Sequence, residues 1–276
     1  MKVILVMIDG LNFTTSEERC GLLGRFVESG QAAKYRVIGQ LPAQSKPLYE
    51  TLMTGLPVEL HEVTTNAYFG ASKSNNIFSI CKTSGKSTAA AAYMWIAELY
   101  NRMPVGSIKS NRYQLNNKTG HIDNGIFYFE DHYPDSHLYA DADYLLRAFS
   151  PDFLLVHPMN VDYYGHRNGS ASREYQHSAE LSVNTLCYYL PDWQKAGYDL
   201  VVTSDHGMDE LGIHFGDSPK QREVPLYIIS GQVESGDYSD LAITQLIVAP
   251  LICRLLGITP SAEMQDLYDV IRGIES

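Results

Sequence analysis

Four short runs of branched and aliphatic residues, Val3 to Ile8, Phe153 to Val156, Leu200 to Thr203 and Val224 to Ile229, constrain this chain more than any other feature. None of them alternates apolar with polar. A strand with one wet face must alternate, whereas a strand covered on both faces need not, so these runs predict a sheet buried between helical layers. Helix-like stretches between the runs then imply an α/β fold, a three-layer α/β/α sandwich with a central, mostly parallel sheet. The clearest helix spans Ser172 to Leu190, with Leu181, Val183, Leu186 and Leu190 as its apolar stripe and Pro191 as its stop. Near the C-terminus Pro250 is placed to open a helix and Gly257 to close one. With 276 residues and no internal repeat, one domain over 1–276 is expected. The segment 101–136, rich in Asn, Lys, Gly, Tyr and His, lacks either period; it reads as a lid or substrate-selectivity insertion, or as a solvated excursion with no role.

The formal charge of −11 argues against a partner with a polyphosphate backbone, because such binding draws on clustered Lys and Arg. A small phosphoester is still compatible with it. Cys20, Cys81, Cys187 and Cys253 show neither the paired spacing of a thiolate metal site nor the density of a disulfide framework. Reduced thiols and a cytoplasmic setting are expected. No run has the length of a membrane span, so no membrane partner is expected.

Three of the four runs end in residues suited to metal binding. Asp9 follows the first, with Gly10 allowing a tight turn. Asp162 and His166 follow the second, and Asp205 and His206 the third, with His214 shortly after. In open α/β sheets the carboxyl ends of strands converge on one crevice, so three carboxylates and three imidazoles would meet there. That inventory suits Zn²⁺, with Mn²⁺ or Fe as alternatives, and six ligands exceed what one ion needs. Two divalent ions about 3.5–4 Å apart would use all six and leave positions for the oxygens of an in-line displacement at phosphorus.

Pro47 suits the first turn of a helix through Tyr49 and Leu52 that Gly55 stops, which puts Ser45 at the helix entrance. There its hydroxyl meets the positive end of the helix dipole and unpaired N–H groups. From this segment alone Ser45 is either a helix cap or a nucleophile.

Taken together these segments resemble the alkaline phosphatase superfamily, and within it the type I phosphodiesterase and nucleotide pyrophosphatase branch. The match runs through Val6 to Gly10, Ser45 to Asn66, Asp162 to His166, Ser204 to Met208 and Ala249 to Ile258, and the Asp-His-Gly-Met run of Asp205 to Met208 is its most specific motif. The resemblance implies that Asp9, Asp205, His206 and Ser45 surround one metal and that Asp162, His166 and His214 hold the other. Asn66 looks like a donor to a phosphoryl oxygen, and His61 shapes the preceding turn. The activity implied is phosphoester hydrolysis, with a diester substrate and a phosphoseryl intermediate on Ser45; phosphomonoester hydrolysis, phospho-group transfer or mutase chemistry, and a non-catalytic metal-binding module are the alternatives. Three features depart from the branch: Ser stands at Ser45 where Thr is usual, Lys46 is unusual beside it, and only seven residues separate His206 from His214. Lys46 either contacts substrate charge or faces solvent. Sulfatases carry Arg at the position of Tyr49, which disfavours that chemistry.

Overall fold

The computed structural model describes residues 1–101, 108–265 and 270–274. Nine strands form one sheet: β1 (Lys2–Met7), β2 (Ala33–Ile38), β3 (Thr88–Tyr93), β4 (Tyr113–Gln114), β5 (Asn124–Tyr128), β6 (Phe153–Val156), β7 (Tyr198–Thr203), β8 (Glu223–Ile229) and β9 (Gly236–Thr244). Their order is β4-β5-β3-β6-β1-β7-β8-β2-β9. The run β5-β3-β6-β1-β7 is parallel throughout, while β8 lies antiparallel to both β7 and β2.

All four apolar runs are strands, and the side chains of β1 show why they need not alternate. Val3, Leu5 and Met7 enter one core and Ile4, Val6 and Ile8 the other, all of them fully buried. Burying each such side chain stabilises the fold by about 1.5–3 kcal/mol. The first core is closed by helices Ser45–Thr54, Ile77–Thr83, Met94–Tyr100 and Val248–Leu256. The second is closed by Gly21–Glu28, Asp135–Phe149, Asn160–Asn168 and Arg173–Lys195. The expected three-layer sandwich with a mostly parallel sheet is therefore the one observed.

Several local expectations need correction. The helix begins after the Ser172 cap but runs through Pro191 to Lys195. Pro191 is exposed near the helix end, where its missing N–H costs one bond rather than a buried turn. Leu181 is 55% exposed, because two residues from the buried Val183 is roughly half a turn round the helix. Within 101–136, Tyr113–Gln114 and the wholly buried Asn124–Tyr128 belong to the sheet, while 102–107 lie outside the described residues. Near the C-terminus Gly257 caps Val248–Leu256 in the left-handed region, as read from the sequence.

Candidate active site

The three adjacent strands β6, β1 and β7 end together, with Val6 opposite Val156 and Met7 opposite Thr203. The chain emerging from each is tied to its neighbours. Gly10 N–H donates to Asp205 Oδ1 at 3.2 Å, Leu11 N–H to Ser204 Oγ at 3.0 Å, and Ser204 Oγ to the His206 carbonyl at 2.6 Å. Gly10 sits at φ +75°, and a Cβ there would lie 2.8 Å from Asp162 Cα, so only glycine lets these two loops meet.

Ser45 enters from the other side as the first residue of its helix. The cap position is taken by Gln44 in extended conformation, and Gly55 closes the helix at φ +67°. The Ser45 side chain is therefore free of capping duty, and its Oγ lies 3.1 Å from His206 Nε2. Pro47 has no N–H, the Lys46 N–H donates to Asn66 Oδ1 at 2.9 Å, and the Leu48 N–H donates to the Gln44 carbonyl at 3.0 Å. Half-buried Asn66 thus stands beside the N-terminus of this helix, whose first-turn N–H groups have no intrahelical acceptor.

The imidazoles declare their tautomers. His206 Nδ1 donates to the Gly207 carbonyl (2.9 Å), His214 Nδ1 to the Ala43 carbonyl (2.6 Å) and His166 Nδ1 to the Gly212 carbonyl (2.9 Å). Each ring is left with a lone pair on Nε2. Yet His166 Nε2 and His214 Nε2 face each other at 3.1 Å, and the His206 and His214 rings stack at 3.6 Å and 4°. Lone pairs do not attract one another, and a positive centre among the rings would relieve this arrangement. The carboxylates make the same demand: Asp9 Oδ1, Asp162 Oδ1 and Asp205 Oδ2 are buried without any hydrogen-bond partner. Buried acceptors in that condition are costly unless a cation meets them. Ligand atoms of Asp9, Asp205 and His206 lie within 4.8 Å of one another, as do those of Asp162, His206 and His214. His166 Nε2 stands 3.5 Å from Asp162 Oδ1, with its side chain 42% exposed. His206 is therefore near both groups, and His166 lies at the open rim.

The protonation equilibria report the same shortage of positive charge. Burial pushes the carboxyls of Asp162 and Asp205 well above the ordinary range, and the charge of Asp9 adds to the effect. Burial drives His214 down to about 2, with His206 contributing, and lowers His206 as well. Asp9 alone moves the other way: burial raises it, but the His157 hydrogen bond, the His206 and His157 charges and the Tyr49 hydrogen bond outweigh burial and bring it to about 2.

Lys46 does not face solvent. It is 2% exposed, its Nζ donates to Glu98 Oε2 at 3.0 Å and to the Tyr68 carbonyl at 2.7 Å, and it lies 4.8 Å from the Trp95 ring centre. Its charge is committed inside the protein. His61 is buried, bonded to Thr51 Oγ1 at 3.0 Å, and its Nδ1 accepts the Val63 N–H at 3.1 Å, which fixes the turn before Asn66. Two further residues touch the site without any motif to announce them: Tyr49 O–H and His157 Nε2 both bond Asp9 Oδ2. For His157 the available signal was its place directly after β6.

Residues 3–223 match the family model described as type I phosphodiesterase / nucleotide pyrophosphatase. The chain is 27% identical over 135 residues to GPI ethanolamine phosphate transferase 2 of Candida albicans, an alignment covering 45% of this chain and 15% of that protein. It is 31% identical over 113 residues to GPI ethanolamine phosphate transferase 3 of Saccharomyces cerevisiae, covering 40% and 10%. The chain thus spans only a small part of the length of these relatives. In structure it is similar to murine ectonucleotide pyrophosphatase / phosphodiesterase 5, with a TM-score of 0.73 at 14% identity over 98% of this chain and 99% of that one. An inactive variant of the murine protein is known in complex with AMP. At such identity the likeness speaks for the fold.

Proposed function

The chain belongs to the type I phosphodiesterase / nucleotide pyrophosphatase family, and from that premise we propose that it is a metal-dependent phosphodiesterase that hydrolyses a small phosphoester through a phosphoseryl intermediate on Ser45. The observation that carries the reading is the convergence of three Nε2 lone pairs and three unpartnered carboxylate oxygens beside the Ser45 hydroxyl. Asp9, Asp205, His206 and Ser45 would hold one divalent ion and Asp162, His166 and His214 the other. Imidazole nitrogen with carboxylate oxygen favours Zn²⁺, with Mn²⁺ or Fe as substitutes. Two such ions would stabilise the attacking and leaving oxygens of an in-line displacement.

The chain's own groups supply the rest. Ser45 Oγ gives up its proton to solvent and attacks phosphorus; a bond from Oγ to phosphorus forms as the bond to the leaving alcohol breaks, and the alcohol departs with the electron pair and takes a proton from solvent. Water then cleaves the phosphoserine by the same displacement in reverse. The Ser45 N–H and Asn66 Nδ2 stabilise the non-bridging oxygens, where charge accumulates. A diester is favoured over a monoester because Lys46, the cation next to the nucleophile in sequence, is neutralised by Glu98 rather than free to meet a second negative charge.

The similarity to the two transferases supports a second reading, transfer of the phospho-group to an alcohol acceptor. Product analysis with added alcohols separates the two. Four unpaired cysteines, three of them buried, support a reducing, cytoplasmic setting. Among the described residues no helix is long and apolar enough to cross a membrane.

The test is elemental analysis of the purified protein beside turnover of bis-p-nitrophenyl phosphate and p-nitrophenyl phosphate, with and without chelator. Two bound ions and a chelator-sensitive diesterase are expected, with Ser45→Ala keeping both ions and losing turnover by at least about 10³-fold. Near-normal turnover in Ser45→Ala would exclude the serine as nucleophile.

A further inference from the structure

Asp9 treats its two oxygens differently. Oδ1 has no partner, whereas Oδ2 receives the Tyr49 hydroxyl and the His157 ring nitrogen, the latter at 3.0 Å. His157 differs from the other three histidines of the site in tautomer. Its Nδ1 lies 3.4 Å from the Tyr93 N–H, a long bond in which the ring nitrogen can only accept, so the proton sits on Nε2 and points at Asp9. The ring is held there from several sides. Tyr49 packs edge-on at 4.7 Å and 71°, and Tyr128 O–H donates to the His157 carbonyl at 2.7 Å. His157 and Tyr49 are both fully enclosed, so water does not substitute for either donor.

We propose that His157 and Tyr49 are positioning residues that hold Asp9 Oδ2 so that Oδ1 alone is offered to a divalent ion, and that they set the affinity of the Asp9, Asp205 and His206 position. The inference rests on the two-cation reading above. A carboxylate whose far oxygen carries two donors is fixed in rotation and binds through one oxygen; with either donor removed it turns or chelates through both, and its geometry no longer matches that of Asp205 and His206. Outer groups of this kind are worth about 10–100-fold in metal affinity. Among the described residues the hydrogen bonds of both side chains to the site go to Asp9 and none to Asp162, His166 or His214, so the effect falls on one of the two ions.

The experiment strips the full chain with a chelator and titrates it with Zn²⁺ against a chromophoric competitor, for wild type, Tyr49→Phe, His157→Leu and His157→Gln. The absorption spectrum of Co²⁺ added in place of Zn²⁺ is recorded for each. Wild type is expected to take two ions. Tyr49→Phe and His157→Leu are expected to weaken one of them about 10–100-fold and alter its Co²⁺ spectrum, leaving the other ion unchanged. His157→Gln, whose amide N–H reaches nearly as far as the ring Nε2–H, is expected to recover most of the loss. If both ions bind every variant as they bind wild type, or both weaken equally, or Gln behaves as Leu does, the positioning role is overturned. Should His157→Leu fail to fold, Tyr49→Phe, which removes a single oxygen, decides the matter. A wild-type protein that takes up no ion overturns the two-cation reading itself, and is distinguishable from the outcomes above.

Discussion

Replacing Glu50 by Gln isolates the one acid that anchors the Ser45 helix from within. Glu50 is fully buried at the middle of Ser45–Thr54, where Tyr100 O–H donates to Oε2 at 2.7 Å and the Ser72 hydroxyl donates to Oε1. Burial raises its carboxyl from 4.5 to about 7, and the two hydrogen bonds only partly oppose this. Because the folded value lies above the unfolded one, the stability Glu50 contributes is fully present below about pH 4.5 and is lost as pH rises through about 7. Each unit is worth about 1.4 kcal/mol, so moving from about pH 5.5 to about pH 8.5 crosses some 1.5 units of that window and should remove about 2 kcal/mol from the wild type. Glu50→Gln cannot ionise and should show none of this loss. The amide also leaves an N–H in search of an acceptor, a pH-independent offset of about 1–3 kcal/mol that cancels when two pH values are compared. Urea denaturation of both proteins at the two pH values, with equal m-values as the control, yields the double difference. A wild-type-minus-variant gap that stays constant within about 0.5 kcal/mol would show that Glu50 does not titrate there, and the argument from burial would fall.

Two other substitutions probe the nucleophile end of the same helix. Asn66→Ala should lower kcat by about 10²–10³-fold with little change in KM or bound metal, as expected for a donor used chiefly in the transition state; an unchanged kcat in steady-state kinetics would rule that use out. Lys46→Met should lower stability by about 3–5 kcal/mol in urea denaturation, because Glu98 is then buried without its counter-charge; a stability loss under about 1 kcal/mol would mean the pair is better hydrated than its geometry implies.

What could be read in advance was whatever the chain writes locally. The four aliphatic runs are legible because both faces of each strand are covered, and Asp9, Asp162, His166, Asp205 and His206 are legible because they follow strand ends, which converge. Thr88–Tyr93 was not legible: its four consecutive alanines carry no strand preference, and they are strand because both of their faces pack between helices in a crowded sheet. Asn124–Tyr128 was hidden by its polar surroundings. Lys46 looks like a surface residue until Glu98 and Trp95, about fifty positions away, supply its partners. Pro191 seemed a terminator because sequence shows the missing N–H but not that the affected turn is exposed. Tyr49 and His157 escaped because their role lies in a hydrogen bond to a third residue, Asp9, that no spacing encodes.

The placement of β1 has a consequence for synthesis. Its Val6 pairs with Val156 on one side and Val202 on the other, so both flanks of β1 are supplied by a much later part of the message. At about 5–20 residues per second, a ribosome leaves that greasy ribbon unescorted for roughly 10–40 s. Throughout that interval the nascent chain offers two open backbone ladders to any neighbour, and Asp9 waits without the imidazole that is to stand beside it. The strand at the centre of the finished sheet is thus one whose edges stay open for most of the time the chain is being made.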